Sequence, residues 1–163
     1  SLLKLIVAEG DAVTEVELST VEPMEDDLGM STKFSRRPVL GKALLSASLF
    51  EEAAAEVVSV PNDVKVFSLQ LMPVMPYLRL NVESTGGSVT VDFHGGLDSF
   101  ESFDCKKELS FTYHMESFRQ AVQGLGFAKD TLLRVNEIGS FALTHRLRDA
   151  HGSAALVSFF LSP

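Results

Sequence analysis

Between Leu109 and Met115 the chain alternates: Leu109, Phe111, Tyr113 and Met115 are apolar, and Ser110, Thr112 and His114 are polar. A period of two is the signature of a half-buried strand. At Ser117 the period lengthens. Ser117 and Gln120 have the spacing of a capping box, and Gly124 and Gly126 offer a left-handed stop, so a short helix is predicted between them. DTLLRVNE, SFALTHRLRD and SAALVSFFLSP then read as three strands joined by polar turns at Asn136–Glu137 and Arg148–Gly152. Leu109–Pro163 is thus expected to form a β-α-β-β-β unit.

The earlier part of the chain repeats that order of elements with little identity of sequence. Leu2–Ala8 and Ala12–Thr20 are strand-like runs around the turn signal Glu9-Gly10-Asp11. Val21–Met30 breaks the pattern with Pro23, four carboxylates and Gly29, and reads as a linker in which Met24, Leu28 and Met30 are apolar. Ser31–Ser46 is expected to be a strand carrying Lys33, Arg36 and Arg37, with Pro38 confining it to an edge or a bulge. Ser48-Leu49-Phe50-Glu51 has capping-box spacing, and Phe50, Ala54 and Val57 give Ser48–Ser59 an apolar helical face. Val64–Met72, Tyr77–Glu83, Ser88–His94 and Ser99–Lys106 follow as short strands, with Gly86-Gly87 and Gly95-Gly96 as hairpin turns. The expected fold class is α+β, antiparallel sheet with both helices laid on one side.

The 163 residues suffice for one domain of ordinary size or slightly more, and 45% hydrophobic and 22% charged content is that of a globular chain. A single cysteine, Cys105, rules out an internal disulfide and fits a reducing compartment, cytosol or nucleus. No apolar run reaches membrane-spanning length. Strand-like sequence begins at once after Ser1, which suggests a piece of a longer protein. The net charge of −8 argues against a protein that coats nucleic acid, but not against one that encircles it using a few placed cations.

Catalytic chemistry finds little support. His94, His114, His145 and His151 are scattered without ligand spacing. Cys105 precedes Lys106 and Lys107 but reads as a small strand hydrophobe. Asp26-Asp27 and Glu51-Glu52 are adjacent pairs whose side chains point apart, unlike the gathered carboxylates of a metal-dependent nuclease. No phosphate-binding glycine fingerprint is present. No cofactor and no metal is expected.

The closing strand, ending Phe159-Phe160-Leu161-Ser162-Pro163, and the strand-to-helix entry LSFTYHMESFRQAV resemble the final unit of the eukaryotic sliding clamps, the DNA-clamp family of proliferating-cell nuclear antigen. The hairpin strand GDAVTEVELSTVEP and an acidic linker beginning Glu22-Pro23 are most similar to the Rad-one-like branch, found in the nine-one-one checkpoint clamp. The resemblance spans essentially the whole chain. It rests on the order and spacing of short motifs.

It implies a processivity-fold domain, with 1–20 as the terminal hairpin of a preceding clamp domain, 21–33 as an interdomain connecting loop and 34–163 as the C-terminal domain. It also implies edge-to-edge subunit pairing. Val13, Glu15, Val16 and Glu17 would stand on one edge, and Ser88, Val89, Thr90, Val91 and Asp92 on the other. A groove for partner peptides would involve Leu28, Met30, Phe160, Leu161 and Pro163. Implied partners are Rad-nine-like and Hus-one-like subunits, double-stranded DNA, a clamp loader and repair proteins, with no membrane, in the nucleus. The expected role is non-catalytic enclosure of DNA in damage checkpoint signalling.

One feature departs from the clamp pattern. The first helix carries Glu51, Glu52 and Glu56 and no basic residue, whereas clamps line their bore with cations that neutralise phosphates. Arg119, Lys42 and Lys107 are the candidate DNA contacts. The alternatives are a homotrimeric replication clamp, a 3′–5′ exonuclease, which would need clustered carboxylates, and a β-rich small-ligand carrier, which would need a closed barrel.

Overall fold

A computed structural model describes residues 2–9, 12–19, 29–61, 63–93, 99–148 and 154–163, the first two segments as backbone. The chain divides into two compact units, Ser1–Thr32 and Lys33–Pro163. In the first, β1 (Leu2–Glu9) and β2 (Ala12–Ser19) form an antiparallel hairpin in register from Leu2↔Ser19 to Glu9↔Ala12. A short helix, α1 (Gly29–Ser35), crosses the boundary between the units.

The strand expected over Ser31–Ser46 is therefore split. Pro38 disfavours helical backbone at Arg37, so α1 ends before it and β3 (Val39–Ser46) starts after it. Nor is β3 an edge: it lies between two other strands, and only the bulge remains, as a register shift between Val39 and Gly41.

From β3 the second unit runs through α2 (Ala47–Val58), β4 (Val66–Leu71), β5 (Leu78–Ser84), β6 (Gly87–Asp92) and β7 (Ser102–Cys105). It continues with β8 (Leu109–His114), α3 (Met115–Val122), β9 (Ala128–Asn136), β10 (Phe141–Arg148) and β11 (Ala154–Leu161). The expected pairing of two β-α-β-β-β units is present, with an exchange. β3 opens the first unit but pairs with β9 of the second, in a five-stranded sheet ordered β11-β10-β9-β3-β7. Conversely, β8 opens the second unit but pairs with β4, in a four-stranded sheet ordered β6-β5-β4-β8. Each unit's first strand completes the other's meander, so neither sheet is assembled from one unit alone.

Two of the three described helices, α2 and α3, pack on the face of the five-stranded sheet that carries Ala43, Leu45, Leu133, Leu143 and His145. A chain of aromatic contacts ties the layers together. Phe50 of α2 meets Phe118 of α3 edge-on at 6.4 Å, and Phe118 lies 4.2 Å from Phe67 of β4. Phe67 contacts Tyr113 of β8, and Tyr113 contacts Phe141 of β10. All five are buried. Each such ring contributes roughly 1.5–3 kcal/mol by leaving water, and the series joins both helices to both sheets. Tyr113 also donates from its hydroxyl to the Gly139 carbonyl at 2.7 Å. Gly139 has φ +82°, and a Cβ there would overlap the Phe111 ring, so this turn requires glycine.

The helix ends differ from those predicted. Ser46, not Ser48, caps α2: its backbone is extended and its Oγ accepts from Leu49 N–H at 3.3 Å. α3 begins at Met115, two residues before Ser117, because Met115 is itself a core residue and its N–H donates to Lys65 O at 2.8 Å. It ends in a 3-10 turn over Leu125–Phe127, with Gly124 at φ −85° rather than left-handed. Met24, the Asp26-Asp27 pair, Leu28, Gly95-Gly96, His94, His151 and most of the Arg148–Gly152 turn lie outside the described residues. No helix among the described residues is long and apolar enough to cross a membrane.

Candidate subunit and partner interfaces

Among the described residues β6 is an edge strand, hydrogen-bonded only to β5. Phe93 N–H donates to Leu78 O at 3.1 Å, which sets the phase of the antiparallel ladder. Bonded pairs alternate with unbonded ones, so Val89 and Val91 turn their backbone groups toward β5. Ser88 and Thr90 turn theirs to the open side. The five residues expected on this edge are all on β6 or its end. Thr90 Oγ1 donates to Asn81 Oδ1 at 2.7 Å, and Arg79 binds Asp92 with two parallel bonds of 2.6 and 2.8 Å. This pairing holds the Arg79 guanidinium above its ordinary pKa. β2, which carries Val13, Glu15, Val16 and Glu17, is likewise paired on one side only among the described residues.

Behind β6 stands α2. Its buried positions are Ala47, Phe50, Ala53, Ala54 and Val57, which leaves Glu51, Glu52 and Glu56 on the exposed face. An open cleft of about 320 Å³ runs between α2 and the β6 end, lined by Leu49, Ala53, Val91 and Phe93 with Glu52 and Glu56 on it.

On the opposite face of the five-stranded sheet, Phe34 of α1 is only 3% exposed. It packs against Phe160 of β11 at 5.6 Å, and the Arg134 guanidinium lies over its ring at 5.3 Å. Arg134 also donates to Thr144 Oγ1 at 3.4 Å, and Thr144 is hydrogen-bonded to Ser158. This platform was not expected from the sequence. Its one signal was an aromatic residue set in the polar run STKFSRR. Phe160 and Leu161 alternate across β11: Phe160 faces the platform, while Leu161 is 3% exposed in the core. Of the expected groove residues, Phe160 and the exposed Pro163 are therefore on the surface, Met30 is half-buried in α1 and Leu161 belongs to the core.

The three candidate DNA contacts are not brought together. Arg119 of α3 is half-buried and donates to Val60 O at 3.1 Å, tying α3 to the end of α2. It lines an open depression with Lys65, His114 and Glu116. Lys42 is exposed on the face of the five-stranded sheet opposite the helices, beside Asp104 and Arg134 in register. Lys107 is exposed in the turn between β7 and β8. Cys105 donates from Sγ to the Lys107 carbonyl at 3.0 Å, and burial pushes its thiol pKa up, the reverse of an activated nucleophile. Among the described residues no three His, Cys, Asp or Glu side chains gather as metal ligands would.

Residues 2–146 match the family model described as repair protein Rad1/Rec1/Rad17. The chain belongs to this family. The match extends from β1 into β10 and so takes in both units. A comparison with curated proteins finds no match. Among solved structures, a chain of the PCNA2–PCNA3 complex from Sulfolobus tokodaii superposes with a TM-score of 0.71 at 13% identity, over 99% of this chain. The present chain spans 60% of the length of that one. The fold of this Rad1/Rec1/Rad17 member is thus the PCNA-like clamp fold, as the resemblance of its sequence implied.

Proposed function

We propose that this chain is a non-catalytic subunit of a heterotrimeric, ring-shaped DNA clamp that acts in the nucleus in damage checkpoint signalling and repair. The observation that carries the reading is the Rad1/Rec1/Rad17 match laid on a PCNA-like fold with an open strand at β6. Its partners in the ring are Rad-nine-like and Hus-one-like subunits. One adds a strand to β6, and the β2 edge of this chain adds to the other, because unpaired N–H and C=O groups at an edge favour another strand. A clamp loader closes the ring on double-stranded DNA. Repair proteins dock on this chain, with Phe160 and Pro163 as candidate anchors.

Enclosure, not chemistry, is the mechanism. A nuclease would gather carboxylates around a metal, whereas Glu51, Glu52 and Glu56 are spread along the solvent face of α2. That face repels phosphate over a screening length of about 8 Å at physiological salt. The helical side of this chain is therefore a weak DNA-binding surface, with Arg119 its main cation, and the other two subunits supply most of the attraction. Retention on DNA is then topological. The assembled ring, loaded onto nicked circular DNA, should stay bound through a high-salt wash and be released when the circle is cut to a linear form. Equal salt-resistant retention on linear DNA with free ends would count against enclosure.

A further inference from the structure

The seat beside Phe160 is filled by the chain itself. α1 has seven residues, too few to hold as a helix by its own hydrogen bonds, and Phe34 is its one buried side chain. The Phe34 ring lies against Phe160 and beneath the Arg134 guanidinium. On the sheet below, one cross-strand row runs Asp104, Lys42, Arg134, Ala142 and Phe160.

This seat is incompletely satisfied. Arg134 is half-buried and forms no ion pair among the described residues; the one hydrogen bond of its side chain is that to Thr144 at 3.4 Å. The buried side-chain atoms without a hydrogen-bond partner among the described residues are Arg134 Nε and Asn136 Nδ2. They alternate along β9 and so share this face of the sheet. A buried donor left unmet costs more than a typical made bond returns. Lys42, beside Arg134 in register, is exposed and has no ion-pair partner among the described residues. Asp104 is the one carboxylate of the row, and Glu137 in the β9–β10 turn is held by Arg37. A guanidinium set over an aromatic ring, with no carboxylate on its fork, suits an aromatic residue that has an acidic one next to it. Phe34 supplies the ring alone: its neighbours in sequence are Lys33, Ser35, Arg36 and Arg37.

Resting on the reading that partner proteins dock at Phe160, we propose that Phe34 is a displaceable plug, and that the segment displacing it is acidic, with an aromatic side chain beside a carboxylate. The incoming ring takes the Phe34 position, and the carboxylate closes on Arg134 and Lys42. Docking competes with α1, so a segment that offers only an apolar side chain gains nothing over Phe34.

The probes are two labelled peptides: residues 29–37 of this chain, and the same peptide with Lys33, Arg36 and Arg37 replaced by glutamate. Both are titrated against the whole chain by fluorescence anisotropy. The acidic peptide should bind Phe34→Ala about tenfold or more tighter than the wild type, because the tethered competitor is gone. Phe34→Leu, which keeps a smaller plug and guards against a folding defect, should fall between. On Phe34→Ala the acidic peptide should outbind the basic one about tenfold or more. Adding Arg134→Gln should remove most of that preference, and adding Lys106→Gln, a lysine exposed in the β7–β8 turn, none of it. Equal affinity in the wild type and both Phe34 variants would overturn the plug. A preference that survives Arg134→Gln, or no binding to any variant, would overturn the partner chemistry. The clamp reading is judged separately, by light scattering with the two partner subunits, which the Phe34 variants should join as the wild type does. A wild-type chain that joins neither subunit would sink that reading and leave the titration to stand or fall alone.

Discussion

His145 shows how a polar residue can be placed in the centre of a small domain without a catalytic purpose. It is fully buried, with Nε2 2.7 Å from the Ala121 carbonyl and Nδ1 3.0 Å from Thr131 Oγ1. A carbonyl only accepts, so Nε2 carries the proton and Nδ1 accepts from the threonine hydroxyl. The ring thereby ties α3 to the five-stranded sheet. Burial lowers its pKa below the ordinary 6.5, against a smaller opposing effect of the Ala121 bond. The folded state therefore binds fewer protons than the unfolded state in that range. The stability is fully present above the unfolded value and is lost as pH falls through the folded one. The urea midpoint should fall on going from about pH 7.5 to about pH 5, and His145→Gln, which can keep both bonds without titrating, should flatten that fall. Equal pH dependence in the two proteins would show that His145 is not the group responsible. From the sequence, His145 was one of four scattered histidines; only the fold distinguishes it from the exposed His114. The same limit applied to Leu161. A run of apolar residues at a strand end does not say which of two neighbours faces the core, and here Phe160 is on the outer platform while Leu161 is inside.

At the scale of elements, the strands were legible and the helix ends were not. Period-two alternation located β5, β6 and β8 to within a residue or two, because β5 and β8 alternate buried or half-buried with more exposed positions and β6 alternates half-buried with exposed ones along most of its length. The capping spacings at Ser48 and Ser117 pointed to the right regions but the wrong residues, since serine is frequent near both ends. What fixes the start of α2 is the extended backbone at Ser46, where β3 runs directly into the helix. Ser46→Ala should cost about 1 kcal/mol of unfolding free energy, and Ser48→Ala, at an exposed position inside the helix, much less. Equal losses from the two in chemical denaturation would mean that the cap is misassigned. α1 was missed because seven residues carry too little periodicity to be separated from a strand. Its one buried side chain, Phe34, is held by contacts with Arg134 and Phe160, distant in sequence and invisible to any local window.

At the scale of the molecule, the repeated order of elements was readable, but the exchange of first strands between the two units was not. Pairing of β3 with β9 and of β8 with β4 is a long-range choice that alternation alone leaves open. The exchange has a consequence for the edges. It buries β3 and β4 inside their sheets and leaves β6 and β8 as the edges of one sheet and β7 and β11 as those of the other. Of these, β6 has the acidic, apolar-floored cleft of α2 beside it. The acidic face of α2 gives the same lesson in another form. Net charge and helix composition identified it from the sequence, but only the packing of Phe50, Ala53, Ala54 and Val57 shows that Glu51, Glu52 and Glu56 face solvent together. The central claim, that this Rad1/Rec1/Rad17 chain is one subunit of a heteromeric ring, is tested most directly by mass. Light scattering of the chain alone and mixed with Rad-nine-like and Hus-one-like subunits should give a monomer in the first case and a complex containing one of each in the second. A homotrimer formed by the chain alone, or a monomer that joins neither partner, would contradict it.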